Sequence, residues 1–426
     1  MPRLSAGGDW HTVHSTLWNA GGQCSRGSGG ASYSLDLNRT SPRLLLCAAH
    51  CVVDIYSSAL GALQPMIVAQ FQLSLAQAGL LGGALILASY IAQPAFGFLA
   101  DRRTTRLYVV AGPLIAGLCI SCLGLAPDFF SLAALVSTAG LGMAMFHPQA
   151  TSSVAEPGSA DSGRAMGFFI AAGALGFSIG PTAIAALAET VSLRGLWVAA
   201  LPGAAIAILL FAYYRPALTV RPRQQMAVSG LTPATRKALL LLFLLVCIRS
   251  VIQVTYGHLL PLYFTRELGY STVQANMIVS AYFAAGALGG MLGGHLADRL
   301  GGRRVIEWSM LLSGPLLLTS FLTSNAASIA ALVAGGFFLL LTIPVNVMMA
   351  QNLAPARRGA VSSFMMGFAW GITGILFVPV TAWLAEQLSL HLALMGLTAF
   401  PLLGLALARR LPDSSTVLEE QAALRH

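Results

Sequence analysis

GFLADRRTTR occupies residues 97–106, and GHLADRLGGRR occupies residues 294–304. Each segment follows a long apolar stretch, and Asp101 and Asp298 stand 197 residues apart. A single apolar-to-charged junction is common, but the same junction twice at almost half the chain length points to duplication. Other features keep nearly the same offset. Gly173, Gly176 and Pro181 recur as Gly371, Gly374 and Pro379; Pro148 recurs as Pro344; and His50, Asp54, Ser57 and Gln64 answer to Arg249, Gln253, Tyr256 and Tyr263.

Outward from these junctions, apolar stretches long enough to cross a hydrocarbon layer of ~30 Å at ~1.5 Å per residue fill the chain from Arg43 onward. Their spacing predicts helices over 43–68, 75–100, 107–126, 130–155, 163–189, 193–214, 238–264, 273–297, 304–323, 327–353, 359–385 and 390–409. Helices are required because hydrocarbon offers the backbone no hydrogen-bond partners, and no alternating ten-residue pattern of a barrel is present. The expected fold is an all-α membrane protein of twelve transmembrane helices in two six-helix halves. Both halves start on the same side, so they are parallel repeats related by an axis along the membrane normal. The expected organisation is a disordered cytoplasmic tail (1–42), an N-terminal half (43–214), a linker (215–237), a C-terminal half (238–410) and a second tail (411–426).

Composition agrees, since 56% of the 426 residues are hydrophobic, 9% are charged and the mean hydropathy is +0.74. Soluble globular chains do not have this balance. Lys and Arg number 24 against 15 Asp and Glu, but the basic residues form short clusters between apolar stretches, the pattern of membrane loops and not of a nucleic-acid surface. Loops assigned inside hold Arg102, Arg103, Arg106, Arg164, Arg299, Arg303, Arg304, Arg357 and Arg358, and the linker holds five more basic residues. Outside loops hold only Arg194 and Arg266. Both termini are therefore expected in the cytoplasm, with the chain in the inner (plasma) membrane. Residues 1–40 lack the h-region of a secretory signal, leaving insertion to the first membrane helix. Cys119 and Cys122 lie inside an apolar run and read as small packed side chains, so neither a metal site nor a cofactor is expected.

Ionisable groups inside the membrane cost at least ~2.5 kcal/mol each to insert and so mark cavities or partners. In the first helix, His50, Asp54, Ser57 and Gln64 form one polar stripe. In the seventh, Arg249, Gln253, Tyr256 and Tyr263 form its counterpart. Asp54 and Arg249 both fall near mid-membrane, either lining a central cavity or forming a buried ion pair. In the cavity reading Asp54, assisted by His50, exchanges a proton, while Arg249, Gln253, Tyr256, Ser57, Gln64 and His147 surround the solute. His147 beside Pro148 either meets His50 or Asp54 or satisfies backbone groups at a kink. His258 falls on the opposite face from Arg249.

The repeated Asp-Arg segments resemble the loop motif G-x-x-x-D-R-x-G-R-R of the major facilitator superfamily. The second copy, with Gly294, Asp298, Arg299, Arg303 and Arg304, fits with one extra residue; the first keeps Gly97, Asp101, Arg102 and Arg106 but has Thr104 and Thr105 for Gly and Arg. Gly167, Gly176, Gly180 and Pro181 resemble that superfamily's helix-five antiporter motif G-x8-G-x3-G-P, with Ile184 and Ala185 replacing the trailing glycines. Within the superfamily the chain is similar to the fosmidomycin resistance group through AHCVVDIYSSALGALQP (49–65), SLAQAGLL (74–81), MFHPQA (145–150), IRSVIQVTYGHLLPLYF (248–264) and AGALGGMLGGHLADR (285–299).

That resemblance implies a proton-driven efflux antiporter for a drug or metabolite, working by alternating access. With Arg249 it favours a small anionic, phosphonate-like solute; the alternative is a hydrophobic neutral or cationic drug contacting Asp54. Asp101 and Asp298 read either as gate residues bonding opposed helix ends or as parts of topogenic clusters. The glycines of helices five and eleven serve close packing or sliding of the halves. The partners expected are a small-molecule substrate, protons and the lipid bilayer, with no nucleic acid and the protein as a monomer. An enzyme lacks support, since no H-E-x-x-H pair, nucleophile elbow or P-loop is present, and a receptor lacks a soluble output domain.

Overall fold

Six of the crossings begin where the sequence supplies a side-chain cap at the turn before them. Ser74, Thr232, Ser271, Asn325 and Ser389 all accept a backbone N–H of the helix they precede. Asp128 does the same for Ser131 at 2.8 Å, and that donation holds its carboxyl below the usual carboxylate range. Such caps satisfy N–H groups that have no partner within the helix. The computed structural model describes residues 37–102, 106–154, 162–214, 232–323 and 325–411. Most of the expected tails and of the linker therefore lie outside the described residues.

Twelve crossings can be traced among the described residues. They are α1 Pro42–Phe71, α2 Leu75–Leu99, α3 Leu107–Ser121, α4 Phe129–Val154, α5 Ser162–Gly195, α6 Ala200–Tyr213, α7 Pro233–Arg266, α8 Thr272–Leu300, α9 Gly302–Leu322, α10 Ala326–Leu353, α11 Val361–Gln387 and α12 Leu390–Ala408. The continuous helical stretch Arg164–Tyr213 holds two crossings, because the chain reverses at Ser192, where φ is 64° and ψ is 167°. Helix α7 starts within the stretch read as linker: Thr232 caps it, and Pro233 suits a first-turn position whose N–H needs no partner.

An even number of crossings puts the two ends of the helical bundle's chain on one side, termed here the terminal face. The halves meet along three seams, α1 with α7, α2 with α11 and α5 with α8. A side chain on Gly61 of α1 would overlap the Gly257 carbonyl of α7. On the second seam, a Cβ on Gly79 would lie 3.0 Å from Pro379 Cα, one on Gly374 would lie 2.7 Å from Ile86 Cδ1, and one on Gly371 would lie 3.1 Å from Tyr90 Cβ. One turn further toward the terminal face, Gly367 has nothing within 4 Å, and neither has Gly167 of α5. The halves are closed at the opposite face and part near mid-membrane on the way to the terminal face.

The parting coincides with two π-helical turns, Leu87–Ile91 in α2 and Phe364–Phe368 in α11. A π-turn inserts one residue and re-aims the side chains after it, and such turns concentrate at functional sites. Here they turn Tyr90 and Trp370 toward each other, with ring centroids 6.0 Å apart.

Candidate functional site

Helix α1 places His50 one turn before Asp54, with His50 Nε2 3.4 Å from Asp54 Oδ2. From α4, His147 brings its Nε2 to 3.2 Å from Asp54 Oδ1. The second nitrogen of each ring is committed to a carbonyl: His50 Nδ1 to Phe169 at 2.8 Å, and His147 Nδ1 to Met143 at 2.8 Å. A carbonyl only accepts, so both Nδ1 atoms carry hydrogen, and in neutral rings both Nε2 atoms present lone pairs to a carboxylate that also only accepts. A proton shared among these groups would turn facing lone pairs into hydrogen bonds. The Asp54 and His147 side chains are 16% and 24% exposed, so the cluster is in part open to water. The same three residues each bring one ligand atom to within 4.8 Å of the others, and so are the described residues that could hold a metal ion.

Helix α5 closes over this cluster. The Phe169 ring stacks on His50 at 4.0 Å, and Gly173 lies so near that an added Cβ would sit 2.6 Å from His50 Nε2 and 2.7 Å from Asp54 Oδ2. Glycine is needed for this close approach, because a Cβ here would overlap the His50 and Asp54 side chains. Gly173→Ala should lower the melting temperature of the purified protein by about 2–10 °C through overpacking and impair proton-driven transport. An unchanged melting temperature with full coupling would show that α5 does not press on the cluster.

On the other half, Arg249 of α7 is 1% exposed. Its guanidinium donates to Gln253 Oε1 and to Ser250 Oγ, the latter at 3.2 Å, and lies over the Trp370 ring at 5.0 Å from the centroid. Its Nε has no partner, and no described carboxylate lies within 4.0 Å of it. Asp54 and Arg249 therefore do not form an ion pair in this conformation. Tyr90 is within electrostatic range of both charges, and Tyr282, whose hydroxyl is buried and unbonded, faces Arg249.

The remaining stripe residues lie toward the closed face. Ser57 bonds back to the Val53 carbonyl at 3.0 Å, and Gln64, fully buried, donates to Ala78 O at 3.0 Å. Tyr256 packs against Tyr282 and Phe321 and donates to Leu394 O at 3.2 Å, pinning α7 to α12. Tyr263 meets His391 at 3.1 Å near the opposite face. Buried His258 abuts the Gly82 position of α2. Four site neighbours escaped the sequence reading: Tyr90, Phe169, Tyr282 and Trp370. Aromatic residues in apolar helices carry no distinguishing pattern, and two of these are re-aimed by π-turns.

The family model described as Major Facilitator Superfamily matches residues 46–271 and 240–425, nearly the whole described chain. The chain belongs to the major facilitator superfamily. It is thus a multi-pass membrane transporter. Curated relatives include the fosmidomycin resistance protein of Escherichia coli (strain K12), 27% identical over 399 residues covering 90% of this chain and 96% of the relative. The Bacillus subtilis (strain 168) MFS-type transporter YfnC is 26% identical over 385 residues, covering 88% and 94%. Among solved structures, a bacterial homologue of the human lysosomal transporter Spinster, inward-facing and occupied, superposes with a TM-score of 0.75 at 17% identity over 90% of this chain and 98% of the other.

One arginine of each loop motif, Arg106 in the first copy and Arg303 in the second, is bonded within its own half. Arg106 donates to the Phe211 carbonyl at 2.8 Å and lies over that ring, 4.2 Å from its centroid. Arg303 donates to the carbonyls of Arg409 and Leu411, both at 3.0 Å, and pairs with Glu307 at 3.0 Å. Cations thus sit at the negative ends of α6 and α12. Asp298 and Arg299 are exposed, and the side chains of Asp101 and Arg102 lie outside the described ones. Gly294 is backed by Pro344, and Gly97 by Pro148. In the helix-five motif, side chains on Gly176 or Gly180 would overlap α1 at Cys51 and Ser58, Pro181 is buried, and Gly167 faces open space.

Proposed function

We propose that this facilitator is a proton-coupled efflux antiporter for a small anionic, phosphonate-like solute, acting as a monomer in the inner membrane with the terminal face in the cytoplasm. The observation that carries the proton is the convergence of His50, Asp54 and His147 with both Nδ1 atoms already committed. What carries the anion is Arg249, a buried guanidinium without a described carboxylate partner. An unpaired buried charge costs several kcal/mol, which an entering anion offsets. The arginine-rich loops support the orientation, and the name of the Escherichia coli relative supports the solute class.

Exchange, as opposed to joint transport, sets a chemical condition. Coulomb's law makes a bare anion raise the proton affinity of the triad. For the solute to expel the proton, its anionic end sits on Arg249 while a hydrogen-bond donor elsewhere in it occupies the lone pairs of Asp54. In the same reading Asp101, Arg102, Asp298, Arg299 and Arg304 act when the terminal face closes, bringing the loop motifs against the other half. A second reading, efflux of hydrophobic neutral or cationic drugs, draws on the partly exposed Asp54 and the aromatic surroundings, and on resemblance over 56% of the chain to the Escherichia coli multidrug resistance protein MdtG.

Counterflow in sealed proteoliposomes tests the function. Vesicles preloaded with unlabelled fosmidomycin should take up labelled fosmidomycin transiently above equilibrium. If they match empty vesicles while a lipophilic cation is exchanged, the anion reading fails and the second one stands.

A further inference from the structure

Glu189 of α5 and Glu386 of α11 stand 197 residues apart, each at the opposite-face end of its helix. Each reaches across a seam to the other half. Glu189 Oε1 accepts the N–H of Val273 in α8 at 3.0 Å, and Glu386 Oε1 accepts the N–H of Ala76 in α2 at 3.0 Å. Val273 and Ala76 are likewise 197 residues apart, and each is the second residue of its helix. Both helices open with the same capping box, Ser271 with Gln274 and Ser74 with Gln77. That box satisfies the N-cap and third-residue N–H groups. The second-residue N–H remains free, and in both copies a glutamate from the opposite half takes it.

A carboxylate is suited to this place because the first turn of a helix carries unpaired N–H groups and the positive end of the dipole. Deeper contacts, Thr182 Oγ1 to Ser280 Oγ at 2.8 Å on the α5–α8 seam and Asn276 Nδ2 of α8 to Ala62 O of α1 at 3.1 Å, connect the same two halves. The glutamates differ in being exposed. Water can replace their partners, so these bonds open without stranding a buried group.

We propose that Glu189 and Glu386 are paired latches of the opposite-face gate, positioning residues that set how often the transporter opens away from the terminal face. They touch neither the triad nor Arg249. The proposal rests on alternating access and not on which solute or ion is carried. Two contacts of this kind bias the equilibrium between closed and open by about 3- to 30-fold.

Ala62 reports the gate, since it is 1% exposed beneath it. An Ala62→Cys protein is labelled with a membrane-impermeant maleimide added from the opposite face, with the parent's own cysteines as background. Combining Glu189→Ala with Glu386→Ala should raise the labelling rate by about 3- to 30-fold, each single change giving part of the increase. Glu307→Gln, which alters a carboxylate at the terminal face, should leave the rate unchanged. The Glu189→Gln and Glu386→Gln pair, which keeps side-chain size, serves if the alanine protein does not purify. Labelling at the parental rate overturns the proposal, and so does a lowered melting temperature without faster labelling, which would mark the glutamates as structural only.

Discussion

Proteoliposomes carrying Asp54→Asn should accumulate no solute under an imposed pH gradient, while exchange at equal pH on both sides continues. The physical reason lies in the hydrogen-bond inventory. An asparagine amide donates permanently to the Nε2 lone pairs of His50 or His147, so it imitates the protonated carboxyl and cannot release what it donates. The carrier is then fixed in one protonation state and can exchange like for like, but a proton gradient has nothing to act on. His50 and His147 keep their carbonyl partners in this variant, so the cluster should stay folded. Uphill transport by Asp54→Asn equal to the parent's would move the coupling site elsewhere.

Arg249→Gln carries the other large effect. The substitution keeps a polar group beside Gln253 and Ser250 but removes the charge that has no carboxylate partner. Hydrogen bonds to charged groups contribute about 1.5–3 kcal/mol, so anion affinity should fall by roughly 10- to 150-fold. Thermal stability should hold or rise, because an uncompensated buried charge is removed. Arg249→Lys should restore part of the affinity, since an ammonium offers charge without the planar fork. Titration of phosphonates by thermal shift measures all three proteins. If anion affinity is unchanged in Arg249→Gln while efflux of hydrophobic cations persists, Arg249 is structural and the drug reading gains.

The fold was largely legible because hydrocarbon removes most alternatives: a chain with this hydropathy and these loop charges can only make helices, and their number follows from length. Helix ends missed by a few residues where capping decided them, as at Thr232 and Pro233. The polar stripe of α1 was legible because His50 and Asp54 lie one turn apart. Their junction with His147 is one of two alternatives that the sequence offers, since contact between α1 and α4 depends on packing that no local pattern encodes. Of the two readings of Asp54 and Arg249, the ion pair is not formed: histidines surround the acid, and Trp370 and polar side chains surround the base. Gln64 and Tyr256 share the stripe in projection but lie beyond the depth at which the halves part, and depth along a helix is invisible to angular periodicity. The latches left a signal that could have been read: S-x-x-Q at 74–77 and 271–274, with Glu189 and Glu386 at the same 197-residue offset.

Proton release on solute binding bears most directly on exchange through the triad. Purified protein in weakly buffered solution near neutral pH, mixed with a saturating phosphonate such as fosmidomycin, should acidify the medium as the donor end of the solute displaces the proton held among His50, Asp54 and His147. Asp54→Asn should bind the same solute and release none. Acidification in the parent alone is the expected result; proton uptake on binding, or binding with no pH change in the parent, would contradict antiport at this site.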